Sequence, residues 1–168
     1  KIINIGEFYA TNTDEGIATV LGSCISTCIY EENTGAGGMN HFLIPGDFRD
    51  EEIFLSPTAR FGMYAMELLM GELIKMNVNR DNLKAKVFGG ATIQGIGSKI
   101  GENNIRFIKA FLGMEGIPIE SIDVGGESAR KVFFFPKSGK VLIKKVNTKV
   151  DKIVGIENKY IKIAETQL

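Results

Sequence analysis

Two short segments hold the residue types that acyl transfer needs. In Leu21-Gly22-Ser23-Cys24 a flexible residue and a small one precede a cysteine, between two apolar, strand-like segments. Gly22 can take backbone dihedrals closed to other residues, so the chain can bend there and expose the thiol. The same bend aims the backbone N–H groups around Gly22, Ser23 and Cys24 at one point. Those are a nucleophile and an oxyanion site. A lone cysteine ahead of an apolar strand is more often a buried packing residue, so this segment alone is a weak signal. His41, the single histidine, changes the reading. It lies in Gly37-Gly38-Met39-Asn40-His41-Phe42, on the second strand of an expected hairpin that can carry it beside Cys24. An imidazole at hydrogen-bond distance takes the thiol proton and leaves a thiolate–imidazolium pair. Taken alone, His41 reads as an ordinary core or surface histidine; taken with Cys24, it reads as a base. A third group should orient the ring, and Thr19, Ser23, Ser26, Asn40 and Asp47 are all candidates nearby in sequence.

Other signals are weaker. The glycine-rich stretch from Gly89-Gly90 to Gly101 follows a strand-like segment. It matches neither the P-loop spacing nor the dinucleotide-binding spacing, and reads as a mobile loop lining the site rather than a phosphate cradle. Gly125-Gly126-Glu127-Ser128-Ala129-Arg130 reads as a turn, with Arg130 or Glu127 the residues that could touch a substrate or partner. Two cysteines, one histidine and scattered carboxylates lack zinc-ligand spacing, so no metal is expected.

The elements that must position these groups follow from periodicity. Lys1 to Tyr9 opens with a strand-like segment, and Ile17 to Leu21 is a second. Ile25, Thr27 and Ile29 alternate with Ser26, Cys28 and Tyr30 in a strand. Glu31 to Gly38 reads as its turn, and Met39 to Ile44 as the partner strand. A helix capped by Ser56 and started by Pro57 presents Phe61, Tyr64, Ala65, Leu68, Leu69, Glu72 and Met76 at three- and four-residue steps. A second helix is predicted over 103–114, with Ile105, Ile108, Phe111 and Leu112 inward, and a strand over 84–88 lies between the two. Strands follow over 117–124, 130–135, 141–146 and 160–163. Strands, helix, strand, helix, strands is an α+β order, with largely antiparallel strands and two main helices on one side.

Bulk composition narrows the function. The chain has 168 residues, suited to one domain spanning 1–168. Twenty basic residues balance twenty acidic ones, which argues against a nucleic-acid grip. The lysines at 137, 140, 144, 145, 149 and 152 sit between apolar residues, as on the wet face of a sheet. No apolar run approaches a membrane span, and no signal peptide opens the chain, so neither insertion nor export is expected. Two closely spaced cysteines fit a reduced, cytoplasmic setting.

The segments quoted above resemble CheD, the chemoreceptor glutamine deamidase family. The likeness includes Ile5-Gly6-Glu7-Phe8-Tyr9, Leu21-Gly22-Ser23-Cys24, Gly37 through Pro45, Phe88-Gly89-Gly90-Ala91, Ile100-Gly101-Glu102-Asn103-Asn104, and Asp123-Val124-Gly125-Gly126 followed by Arg130. It implies a layered α/β/β sandwich, with Cys24 as nucleophile, His41 as base and Thr19 as the third member of a Cys-His-Thr triad. Some members carry that threonine one residue upstream, where this chain has Ala18. The resemblance further implies a cofactor-free deamidase that converts glutamine side chains of methyl-accepting chemotaxis receptors through a thioester. Gly22 and Ser23 would serve the oxyanion, and Asn40, Phe42, Gly89, Gly90 and Arg130 the substrate or partner loops. In some chemotaxis systems the family is paired with the phosphatase CheC, for which an exposed apolar groove around Phe42 and Phe48 would be the place. The competing expectations are a binding regulator of CheC or the receptor with little turnover, and a cysteine hydrolase of another acyl substrate.

Overall fold

Residues 1–97, 99–146 and 150–168 are described by the computed structural model. The strands are β1 (Phe8–Thr11), β2 (Ile17–Leu21), β3 (Ile25–Glu31), β4 (Ala36–Asn40), β5 (Lys84–Gly89), β6 (Ile119–Val124), β7 (Ala129–Phe135) and β8 (Lys140–Val146). The helices are α1 (Ala59–Lys75), α2 (Ile100–Glu115) and α3 (Val150–Glu165). Five strands form one sheet in the order β1-β4-β3-β5-β6, antiparallel except between β5 and β6. The other three form an antiparallel sheet, β2-β7-β8. This is the expected mixed α+β class with largely antiparallel strands.

The alternation of β3 sorts its side chains into two cores. Ile25 and Ile29 join Val87, Phe107, Phe111 and Leu69 in a cluster beneath α1 and α2. Cys24, Cys28 and Tyr30 face the other way, into a cluster with Ile17, Leu21, Val132 and Phe134 of the second sheet. Successive residues of a strand point to opposite faces, so a strand buried on both sides needs core-compatible residues at every position. All seven residues of β3 are buried. The layers therefore run α1 and α2, five-stranded sheet, three-stranded sheet, and Cys24 lies on the inter-sheet side, where α3 also packs.

Several elements depart from their sequence expectations. The turn after β3 is shorter than expected: β4 begins at Ala36 and takes in Gly37 and Gly38, while beyond Asn40 only Phe42 is bridged, to Ile25. The first helix starts at Ala59, although Ser56 Oγ still accepts from its N–H. Its inner stripe is Ala59, Gly62, Met66, Leu69, Met70 and Leu73, whereas Tyr64 is exposed. The helix is apolar on most sides, and close approach decides which side faces in. A Cβ at Gly62 would meet the Phe107 ring at 2.5 Å, so only this face lets α1 sit so near α2. The second helix begins at Ile100, earlier than expected, and buries Asn103 and Asn104 with Ile108, Phe111 and Leu112.

The strand expected over 160–163 is instead part of α3, so the described residues hold three α-helices where two were expected. Ile153, Val154, Glu157, Tyr160, Ile161 and Ala164 recur at helical spacing and form its inward stripe. Of the C-terminal lysines, Lys140, Lys144 and Lys145 are exposed on the edge strand β8, with Lys145 on the face opposite to the other two, whereas Lys152 belongs to α3 and Lys149 lies outside the described residues.

Candidate functional site

The hairpin register brings the two chemical segments together. Cys28 pairs with Met39 and Ile29 with Gly38, and the same register continues to the bridge between Ile25 and Phe42. Both backbone bonds of that bridge are 2.9 Å. Cys24 and His41 are therefore diagonal neighbours on one face, the face turned to the second sheet. His41 is pinned on its other side by β1's approach: its N–H donates to the Glu7 carbonyl at 3.0 Å, and its carbonyl accepts from Gly6 N–H at 2.7 Å.

Thr19 reaches the imidazole from the opposite sheet. It alternates with Ile17 and Leu21 on the inward face of β2. Its Oγ1 donates to the Ile3 carbonyl at 2.8 Å and lies 2.7 Å from His41 Nδ1. A hydroxyl has one proton to give. With that proton committed to Ile3, Thr19 accepts from Nδ1–H, and this network assigns Nε2 as the unprotonated nitrogen. Nε2 is buried with no hydrogen-bond partner. Burial pulls the imidazole down to about 3, so the ring is neutral.

The Cys24 loop is braced from two sides. Gly90 N–H donates to the Cys24 carbonyl at 2.7 Å and Ala91 N–H to the Gly22 carbonyl at 2.9 Å. Gly89 sits at φ +109°, and a Cβ there would meet the Cys24 carbonyl oxygen at 2.1 Å. Gly89 and Gly90 thus set the backbone after Cys24, while the Gly89 carbonyl also accepts from Gly125 N–H at 2.9 Å and Gly90 packs closely on Ile105 of α2. Asn104 ties both segments together: its Nδ2 donates to the Ser23 carbonyl at 2.8 Å, and its Oδ1 accepts from Ile44 N–H at 2.8 Å. Sequence reasoning quoted Asn104 but missed this role; a buried asparagine on the inward face of an apolar helix was the available signal.

A second missed residue is Glu157 of α3. Its carboxylate accepts from Gly22 N–H at 3.1 Å, Ser23 N–H at 3.1 Å, Cys24 N–H at 3.5 Å and the Ser23 hydroxyl. The donors at Gly22 and Ser23 do converge, as the bend at Gly22 required. Burial, and then the Glu157 charge and hydrogen bond, push the Cys24 thiol well up. The thiolate–imidazolium pair is therefore not the state of this conformation, which holds a protonated thiol and, diagonally across the hairpin, a neutral ring. A cavity of about 500 Å³ opens onto His41 and Thr19 beneath Ile153, Ile156 and Glu157.

The remaining loop candidates have structural employment. Asn40 is buried, accepting from Thr27 N–H at 3.0 Å and donating to the Ala65 carbonyl at 3.3 Å. Phe42 is in the helix-side core, edge-on to Phe107 at 5.9 Å. Arg130 is buried, holding Asp123 at 2.9 Å and the Gly125 carbonyl at 2.7 Å, which clamps the glycine turn. Phe42 and Phe48 do not share one exposed apolar groove: both side chains are buried, Phe42 at the edge of a groove with Phe61, Tyr64 and Leu68, and Phe48 in a separate polar one with Asp47 and Arg106. Both cysteines are free and buried. Among the described residues no three His, Cys, Asp or Glu side chains converge to hold a metal. No described helix is long and apolar enough to cross a membrane.

Residues 43–145 match the family model described as CheD chemotactic sensory transduction. A protein of Herminiimonas arsenicoxydans named "Probable chemoreceptor glutamine deamidase CheD" is 50% identical over 143 residues, covering 84% of this chain and 70% of its own. Proteins of the same name from Janthinobacterium sp. (strain Marseille) and Laribacter hongkongensis are 48% and 44% identical, covering 84% of this chain and 70% and 69% of theirs. Among solved structures, Neisseria meningitidis protein NMB0706 aligns with a TM-score of 0.39 at 11% identity, over 71% of this chain and 51% of its own.

Proposed function

The chain belongs to the CheD family, and on that premise we propose that it is a cysteine-dependent amidohydrolase that deamidates glutamine side chains of methyl-accepting chemotaxis receptors. The observation that carries the chemistry is His41. Its Nδ1 is tied to Thr19, its Nε2 is unpartnered, and it shares a face with Cys24. With Nδ1–H held by Thr19, Nε2 is the nitrogen left to accept a proton, which is what a general base requires.

The steps follow from these positions. Nε2 takes the Cys24 proton, and the thiolate attacks the amide carbon of the substrate glutamine. The carbonyl oxygen becomes an oxyanion, and the N–H groups of Gly22, Ser23 and Cys24 are the donors able to receive it. His41 returns its proton to the leaving nitrogen, and ammonia departs. Water, deprotonated by the same ring, then attacks the thioester and releases glutamate and the thiol. Thr19 holds the Nδ1–H throughout and stabilises the imidazolium when it forms. The product adds a negative charge to a receptor helix, which changes repulsion along packed helices. Two reduced cysteines fit action in the cytoplasm, where the receptors' signalling segments lie. CheC is a partner on this reading by family resemblance alone.

The test is to incubate the protein with receptor cytoplasmic fragments and map glutamine-to-glutamate conversion by peptide mass spectrometry, beside a Cys24→Ala control. Site-specific conversion that disappears in the control is expected, with a loss of several orders of magnitude. Firm receptor binding with no conversion would instead support a regulator that acts by contact.

A further inference from the structure

Glu157 is out of place by every local rule. It stands mid-stripe among Ile153, Val154, Tyr160, Ile161 and Ala164, where α3 otherwise presents apolar groups, and it is 1% exposed. Among the described residues no ion pair neutralises it. A buried, unpaired carboxylate is a costly choice for stability, since an apolar side chain of similar size would pack there without desolvating a charge. What holds it is the cradle at Gly22, Ser23 and Cys24, whose three N–H groups and one hydroxyl all point at its two oxygens. Gly22 leaves the room for this, because a Cβ there would lie 2.7 Å from Glu157 Oε1 and 2.8 Å from Ile153.

These donors are the ones assigned above to the oxyanion. A glutamate side chain on a helix is also, chemically, what deamidation of a helix-borne glutamine produces. We propose that α3 is a tethered occupant of the substrate groove: it seats Glu157 in the oxyanion cradle as a product mimic, and must leave before a receptor helix presents its glutamine to Cys24. The inference rests on the deamidase reading for the identity of the substrate, but the occupancy of the cradle does not.

Three further observations support it. Ile153, Ile156 and Glu157 line the cavity that reaches His41 and Thr19, so α3 forms one wall of the space beside the base. The seat is extended by contacts beside and beyond Glu157: mid-helix, Asn158 Nδ2 donates to the Gly95 carbonyl at 3.0 Å, and just past the C-terminal end Arg60 donates to the Gln167 carbonyl. The cradle also prefers a carboxylate to an amide. Both Glu157 oxygens accept, whereas an amide would turn its NH2 toward one set of donors. A product-like group therefore seats better than a substrate-like one, as befits a cover and not a substrate.

The experiment uses the full chain with Glu157→Ala and the isosteric Glu157→Gln. Each is treated with iodoacetamide, and alkylation of Cys24 and Cys28 is followed separately by peptide mass spectrometry. The same samples are assayed on receptor fragments. Losing charge-assisted bonds to the cradle should raise Cys24 alkylation by about tenfold to a hundredfold, with Cys28 still protected, and receptor deamidation should rise with it. Unchanged Cys24 reactivity in both variants overturns the proposal. So does equal exposure of Cys24 and Cys28 in the Gln variant, which would make Glu157 a support of the fold and not a cover. Cys24 freed while receptor glutamines stay intact would leave the occupancy standing and refute the deamidase reading. Full deamidation by the unaltered chain, with no response to either variant, would do the reverse.

Discussion

Replacing Thr19 by valine removes one oxygen and keeps the side chain's shape. That oxygen bridges the Ile3 carbonyl and His41 Nδ1, at 2.8 and 2.7 Å. Without it, Nδ1–H is a buried donor that has lost its side-chain acceptor. Leaving such a group unsatisfied costs about 1–3 kcal/mol. The ring can recover part of this by moving the proton to Nε2 or by rotating, and either response removes the base from the thiol. If the whole penalty falls on the transition state, kcat drops about 5- to 150-fold, at 1.36 kcal/mol per tenfold. KM should change little, because Thr19 reaches the substrate only through His41. Thr19→Ser, which keeps the hydroxyl, should recover most of the rate. The assay is steady-state ammonia release from a receptor fragment, paired with nitrogen NMR of the single imidazole to read its tautomer. Thr19→Val with full kcat and an unchanged Nδ1–H tautomer would refute the reasoning, since Thr19 would then be packing and nothing more.

Two other outcomes follow from the same geometry. His41 is held near 3 by burial, well below its unfolded value of 6.5. Between those values the unfolded chain binds a proton that the native one does not, so stability falls as pH drops through this window, by about 1.4 kcal/mol per unit at most. Urea midpoints from pH 6.5 to 4.5 should therefore decline in the wild type and decline less in His41→Gln; parallel slopes would show that His41 is not buried neutral. Gly89→Ala forces an unfavourable φ and a contact with the Cys24 carbonyl oxygen. It should cost more than about 3 kcal/mol, read as a fall in Tm of roughly 6–12 °C, and a protein of normal Tm would mean that this backbone is not as tightly set.

The pairing of Cys24 with His41 was legible because a hairpin has a period of two and a register. With Ile25 to Tyr30 and Met39 to Ile44 read as the strands of one hairpin, the ring can be carried beside the thiol, and the observed register puts both on one face. Thr19 was not legible in that way. Its partner lies on the other sheet, and nothing in a linear pattern states how two sheets face each other, so its place in the site came from family resemblance until the distance to Nδ1 was at hand. The inner stripe of α1 failed for a related reason. Apolar residues surround that helix, and the choice of face rested on Gly62, whose missing side chain admits the Phe107 ring. Asn40, Phe42 and Arg130 looked available for partners because polarity or size in a loop is ambiguous until burial is known.

The misreading of α3 has a more specific origin. Tyr160-Ile161-Lys162-Ile163 alternates like a strand over four residues, and the longer helical period that should have overruled it is interrupted at Glu157. Local sequence rules fail most informatively where function has displaced a stability preference. With an apolar residue at 157 the helical stripe would run unbroken from Ile153 to Ala164. With glutamate there, the stripe closes only when another part of the chain supplies several donors to one carboxylate. The Cys24 loop is that part, and on the proposed mechanism it has the donors for a reason of its own, since a developing oxyanion needs them. The interruption in the helix and the bend at Gly22 are thus two halves of one feature, each unexplained until placed against the other.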